Sequence, residues 1–515
     1  MALERPTVRG AGKKKRSAAE PSPVAASVPL PTKLAYGAGA ITYGIKDNGF
    51  AVFLLIFYNQ VMGLPADLVG LAVMIALIID AFIDPVIGHL SDRTDTRWGR
   101  RHPWIYASII PVGLSWFLLW HPPQRGEAGM LAYLIGSAIL VRSALALNEV
   151  PSLAMLPELT QDYHERTDVI RYRFLFGWLG GLTLLWLAYA VFLAPTPEQP
   201  AGLLRREGYD AYAVTGVVMM TLATLIAAIG THKRLARRPA RVPPRQPLRA
   251  ELAGMIATLR NPAFLTLMGA GVFAFANQGL NFATSTYMQL YVWEFPRWAM
   301  TAWPFTLFAG VMLAFLITPR VGRRLGKKRG AAAMALIAVV LGLLPYVLRL
   351  LGLFPANGEP ETLPIFLTMV TLATGFGVGP MILTGSMLAD VVEDSELRTG
   401  HREEGLFYAG NLFMQKCVTG IGTFAAGSLI AAVGLPREAV PGAVDPEVIG
   451  RLMLTFTILT AIFVGGAIAM FLRFPLDEAG HRERLRLLAA RPQPRRAVSD
   501  EQRAAPSISP LPLQD

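Results

Sequence analysis

Twelve runs of about twenty predominantly apolar residues dominate the chain, and each is long enough to cross the hydrocarbon core of a bilayer as a helix. They fall near 35–62, 66–90, 103–120, 129–157, 171–194, 210–230, 262–293, 300–318, 330–351, 364–388, 404–433 and 447–473. Only 16% of the 515 residues are charged, well below the roughly 25% of a soluble protein. A transmembrane barrel would show short alternating segments instead. The expected fold is therefore an all-α membrane protein.

The net charge of +12 invites a nucleic-acid reading, but the basic residues flank the apolar runs and form no separate basic domain. If the N-terminus is cytoplasmic, 38 of the 48 Lys and Arg lie in inner segments, the bias that sets membrane orientation. Both termini are then expected inside. The single cysteine, Cys417, permits no internal disulfide. Residues 1–31 and 476–515 are rich in Ala, Pro, Ser and Arg and read as disordered tails. The N-terminus lacks the apolar core and cleavage site of a signal peptide. A basic, Pro-containing linker at 232–261 separates two six-helix halves, 32–231 and 262–475.

The halves repeat. Glu158, Asp162, Arg166 and Thr167 after run four recur, 232 positions later, as Asp390, Asp394, Arg398 and Thr399. Trp98-Gly99-Arg100-Arg101 after run two has a counterpart in Leu325-Gly326-Lys327-Lys328-Arg329 after run eight. Two parallel six-helix repeats joined by a linker are the layout of the major facilitator transporters.

Charged side chains inside a bilayer cost several kcal/mol and need a reason. Run two carries Asp80 and Asp84, one helical turn apart and so on one face. Two such carboxylates repel unless a cation lies between them or one is protonated, which is what a coupling-ion site requires. Asp84 can alternatively pair with a loop arginine. Glu149 in run four is a third buried acid, with Arg142 two turns before it, and Lys416 in run eleven is a buried base able to neutralise an acid across a cavity. These groups can also be read as a structural acid–base set holding the halves together. Lys46 and Asp47 are adjacent in run one, so one of them faces the interior. Asn277, Gln278 and Asn281 in run seven suit either hydrogen bonding to a polar solute or helix packing. The acids and arginines after runs four and ten, Glu158, Asp162, Arg166, Asp390, Asp394 and Arg398, are expected to form ionic locks that close the cytoplasmic side. No phosphate-binding loop, HExxH helix or nucleophile elbow is present, so neither an enzyme nor a resident cofactor is expected.

The run Asp80 to Gly88, followed by Ser91-Asp92-Arg93-Thr94 and Arg97-Trp98-Gly99-Arg100-Arg101, resembles the glycoside–pentoside–hexuronide:cation symporters. So do Pro157-Glu158-Leu159-Thr160 with Glu165-Arg166-Thr167, Ala389-Asp390-Val391-Val392, and Gly405-Leu406-Phe407-Tyr408 leading to Lys416. The resemblance runs in order over about residues 32–430. It implies a major facilitator fold, cation-coupled solute uptake, cation-site carboxylates at Asp80 and Asp84, a substrate-binding acid at Glu149 and the family's helix XI lysine at Lys416. In an ungapped alignment the helix I acid of sugar-binding members falls on Gly44, with Asp47 one turn away as a substitute. Leu153 replaces a Trp that stacks on sugar, and Ile83 and Ala146 replace two side chains that help ligate sodium.

The expectation is thus a proton- or sodium-coupled symporter for a small glycoside-like solute, the proton being favoured because Ile83 and Ala146 cannot coordinate a metal ion. If sodium is the ion, Asp80 and Asp84 hold it. Asp47, Arg142, Asn277 and Asn281 join Glu149 and Lys416 as substrate-site candidates. The protein is expected in a bacterial inner membrane, monomeric, with the solute and the bilayer as partners. A lysolipid symporter and a non-transporting receptor or scaffold are the alternatives.

Overall fold

The computed structural model describes residues 27–124, 126–160, 162–197, 199–235, 261–399 and 404–476. The terminal tails up to residue 26 and from 477, and 236–260 of the linker, lie outside the described residues. Twelve long helices are present among those described: α1 (Leu30–Val61), α2 (Ala66–Arg93), α3 (His102–Trp120), α4 (Glu127–Leu159), α5 (Tyr163–Leu187, prolonged by a π turn, Ala188–Phe192) and α6 (Arg206–Leu235) form the first six. The second six are α7 (Pro262–Val292), α8 (Arg297–Leu325), α9 (Lys327–Leu350), α10 (Thr362–Thr399), α11 (Glu404–Ala432) and α12 (Pro446–Arg473). All but α11 hold an 18-residue stretch of high mean hydropathy with at most two charged residues. The exception carries Asn411, Gln415, Lys416 and Thr419, and of these Lys416 is turned to the other half.

Several helices outrun their apolar runs. Hydropathy marks only the stretch that needs hydrocarbon, whereas a helix continues as long as its backbone hydrogen bonds are made. The tail assigned to 1–31 is also shorter than composition suggests. Val28 is buried, and its backbone N–H donates to the Glu165 carboxylate at the start of α5. Burial there opposes ionisation. Hydrogen bonds from Thr160 and Val28 and the Lys33 ammonium overcome it and hold the Glu165 carboxyl below the usual range.

The internal repeat is visible in backbone detail. α1 ends in a π turn, Phe57–Val61, and α7 in another, Met288–Val292. Each is closed by the same two backbone bonds, Met62 to Phe57 and Leu64 to Tyr58 in one half and Trp293 to Met288 and Phe295 to Gln289 in the other. A proline then caps the next helix, Pro65 before α2 and Pro296 before α8. Every one of these features recurs 231 positions later.

The halves meet along α2 and α11, which run antiparallel. Glycines set the spacing: a Cβ at Gly427 would stand 2.2 Å from the Ala66 carbonyl oxygen, and one at Gly70 would stand 3.0 Å from Phe424 Cα. Small residues let backbones approach closely where lipid supplies no hydrophobic drive. Asp80 and Lys416 face each other near the middle of this pair.

Candidate functional site

Asp80 lies near the midpoint of α2, and only 3% of it is exposed. A carboxylate so placed must be paired, and three cationic donors converge on its Oδ2. Arg142 of α4 contributes Nε at 3.0 Å and Nη2 at 2.9 Å, and Lys416 of α11 contributes Nζ at 2.9 Å. The same ammonium reaches Asp84 Oδ2 at 2.5 Å. The one-turn spacing of the two aspartates therefore lets a single lysine from the other half bridge both, with Arg142 supplying the second positive charge. The cation required between them is, in this conformation, part of the chain.

A second cluster adjoins the first. Lys46, also 3% exposed, lies 3.2 Å from Glu149 Oε2 and 3.3 Å from Asp47 Oδ1, and stacks over the Tyr43 ring. Arg142 packs over Phe50 of α1. Arg142, two turns before Glu149 on the same helix, turns to Asp80, and Glu149 takes Lys46. Lys416 belongs to the aspartates. The Asp47 side chain is 47% exposed and that of Glu149 20%.

Gly44 is not a lost acid position. A Cβ there would lie 1.9 Å from the Gly177 carbonyl oxygen of α5, so the site admits no side chain at all. Asp47, on the next turn, is the acid that α1 brings to the charged cluster. Leu153, one turn beyond Glu149 on α4, is 41% exposed.

Asn277 and Asn281 are not drawn into the cluster. Asn281 Nδ2 donates to Asn277 Oδ1 and to its carbonyl, both at 2.9 Å, a pair along one face of α7. Arg173 of α5 is a residue that hydropathy concealed. It stands at the very edge of the apolar run that begins near 171, and because α5 already starts at Tyr163 it lies about three turns from the helix start. Its Nη1 donates to Ser152 Oγ at 2.7 Å, and its guanidinium stacks over Tyr36.

The expected gate residues sit at the Leu30 end of the bundle, where each half ties its own loops. Glu158 accepts from Arg100 at 2.7 Å and Arg101 at 3.2 Å, and Arg101 also pairs with Asp92. Asp162 caps α5 through the Glu165 N–H at 2.8 Å, and Arg166 donates to the Thr160 carbonyl. Asp390 pairs with Lys327 at 2.7 Å and Asp394 with Arg398 at 2.8 Å.

At the opposite, Val61 end the halves are bonded directly. Tyr287 OH donates to Asn59 Oδ1 at 2.9 Å. Tyr291 OH lies 2.9 Å from Gln60 Oε1, which also accepts from the Ala439 N–H at 2.9 Å. Thr286 donates to the Val52 carbonyl. This neutral network joins the repeat-related ends of α1 and α7.

The sequence from 35 to 478 matches the model of the MFS/sugar transport protein family. The chain belongs to that family. Among members of known sequence, an uncharacterized symporter of Synechocystis sp. is 26% identical, covering 90% of this chain and 97% of that one. A putative glycoside/cation symporter of Escherichia coli is also 26% identical, covering 87% and 92%. The crystal structure of the nucleoside transporter NupG superimposes with a TM-score of 0.55 at 14% identity, over 86% of this chain and 98% of that chain. That likeness establishes the major facilitator fold. Membership in the MFS/sugar transport family makes the chain a multi-pass membrane protein of a transporter family. Among the described residues, no cluster of three or more His, Cys, Asp or Glu side chains forms a metal site.

Proposed function

We propose that the protein is a symporter that moves a small glycoside-like solute together with a cation, opening a site in the middle of the bilayer alternately to either side. The observation that carries this is the Lys416 ammonium held between Asp80 and Asp84, at 2.9 and 2.5 Å. It supplies inside the chain the charge that a coupling ion would supply.

A cation entering the aspartate pair, or a proton on Asp84, makes one positive charge surplus there. Asp80 retains Arg142, so Lys416 is the group that leaves. Its departure removes the ionic tie between α2 and α11 at mid-bilayer and so alters the contact between halves. A desolvated ion pair that exchanges partners this way biases a two-state element by differential binding. Glu149 and Asp47 accept hydrogen bonds from solute hydroxyls, with Lys46 fixing the orientation of both carboxylates. The name of the E. coli relative, a glycoside/cation symporter, supports the solute class.

The Lys and Arg bias supports placing the Leu30 end in the cytoplasm, and the Tyr–amide network supports a form closed on the outer side. The loop acids and arginines then rearrange into locks between halves when the inner side closes. The proton is the favoured ion. The positions that would add sodium ligands are Ile83 and the buried Ala146, and two carboxylates with an ammonium suit proton exchange. The test is uptake of labelled glycosides into proteoliposomes under imposed gradients. Accumulation driven by an ion gradient supports symport, and equilibration without accumulation overturns it.

A further inference from the structure

Six cations fall within ten residues at the α8–α9 turn: Arg320, Arg323, Arg324, Lys327, Lys328 and Arg329. Lys327 is matched by Asp390, and Lys328 donates to the Phe474 carbonyl. Arg323, Arg324 and Arg329 are exposed, and among the described residues none of the three forms an ion pair. The repeat-related turn in the first half is different, since Arg100 and Arg101 are both matched by Glu158 and Arg101 also by Asp92. Among the described residues, the α8–α9 turn thus carries arginines without acidic partners where its counterpart in the first half has Arg100 and Arg101 matched.

The local backbone makes the excess costlier. α9 begins at Lys327 with three cations and no acid in its first turn, and its N-cap, Gly326, offers no side-chain bond. Cations at a helix N-terminus oppose the helix dipole. An anion placed at this turn relieves both the mutual repulsion and the dipole conflict.

The apolar surface beside the turn indicates what kind of anion. Leu316, Arg320 and Arg323 follow one face of α8, and Arg329, Leu336 and Val340 follow one face of α9. Leu316 is 61% exposed, Leu336 54% and Val340 53%. Leu316 and Leu336 each stand about 10 Å along the helix axis from the nearest unmatched arginine. A headgroup at the arginines therefore has acyl chains lying over exposed leucine and valine, which a free anion lacks.

We infer that the α8–α9 turn is a binding surface for an anionic phospholipid, with Arg323, Arg324 and Arg329 holding the phosphate and the flanks of α8 and α9 taking the acyl chains. Lys and Arg next to a membrane surface attract anionic lipid. This surface is distant from the charged cluster and does not depend on what the protein carries.

The test is native mass spectrometry of the full chain, released from detergent containing equal amounts of dioleoyl phosphatidylglycerol and dioleoyl phosphatidylcholine. The wild type should retain phosphatidylglycerol in preference, and R323Q/R324Q/R329Q should retain at least about tenfold less. R323K/R324K/R329K should keep most of the binding, which separates charge from folding. R237Q/R238Q/R241Q removes the same charge from the linker and should match the wild type, and inorganic phosphate should not displace the lipid. Equal retention by wild type and the α8–α9 glutamine variant would overturn the inference. So would equal loss from the linker variant, or displacement by inorganic phosphate.

Discussion

The Lys416 ammonium stands 2.5 Å from Oδ2 of Asp84, a residue 332 positions earlier in the chain and in the other half of the molecule. No feature of either helix alone requires this pair. It exists because glycines bring α2 and α11 close enough for one lysine to span two aspartates a turn apart. The bridge ties the two halves near the middle of both helices, so it constrains any movement of one half against the other.

Asp80 should be indispensable for accumulation. Asp80→Asn leaves Arg142 and Lys416 facing a neutral amide, so concentrative uptake should vanish while exchange of solute persists in part. The variant should also lose thermal stability, and adding Arg142→Gln should restore much of that without restoring uptake. Thermal unfolding in detergent and uptake in vesicles separate the two effects. Full accumulation by Asp80→Asn would remove this residue from the coupling site.

Glu149 should act through affinity. Glu149→Gln keeps the side-chain shape but replaces charge-assisted hydrogen bonds, worth about 1.5–3 kcal/mol, so solute binding should weaken by roughly ten- to a hundredfold. Equilibrium binding to the purified protein reads this directly. Unchanged affinity would place the solute elsewhere.

The Tyr–amide network at the Val61 end should hold that end closed. Tyr287→Phe with Tyr291→Phe removes two hydroxyls that join the halves, each hydrogen bond contributing about 0.5–1.5 kcal/mol. A cysteine at Leu153, in a Cys417→Ala background, should then be alkylated several-fold faster by an impermeant reagent applied from the Val61 side. The same rate with and without the tyrosine hydroxyls would show that the network does not gate access.

The loop arginines should matter in the opposite sense. Arg166→Ala with Arg398→Ala should raise alkylation of the same Leu153→Cys reporter from the Leu30 side, because a lock between the halves loses both cations. Singly exposed pairs contribute little, so the double variant is the informative one. Unchanged labelling would refute the lock.

The architecture was legible because a bilayer imposes long apolar helices and the chain repeats its loop motifs, Glu158 to Arg166 against Asp390 to Arg398. The charged residues of the site were legible for the same reason: an acid such as Asp80 in hydrocarbon stands out. Their pairing was not. Arg142 and Glu149 share a helix and invite a pair, but Arg142 turns to Asp80 and Glu149 to Lys46, which depends on how four helices are rotated against one another. Arg173 escaped because it stands at the edge of an apolar run, where a base reads as part of the neighbouring loop. The Tyr–amide network escaped because neutral residues at a helix end carry no sign in the sequence of what they will meet.

Coupling itself is the central claim, and imposed gradients test it most directly. Proteoliposomes loaded with sodium-free buffer are given an inward proton gradient, and glycoside uptake is followed in the wild type and in Asp84→Asn. The wild type should accumulate solute above the external concentration. Asp84→Asn, with Lys416 left on a single aspartate, should show counterflow without accumulation. Wild-type accumulation that responds only to a sodium gradient would contradict proton coupling, and equal accumulation by Asp84→Asn would contradict coupling through the Asp80–Lys416–Asp84 bridge.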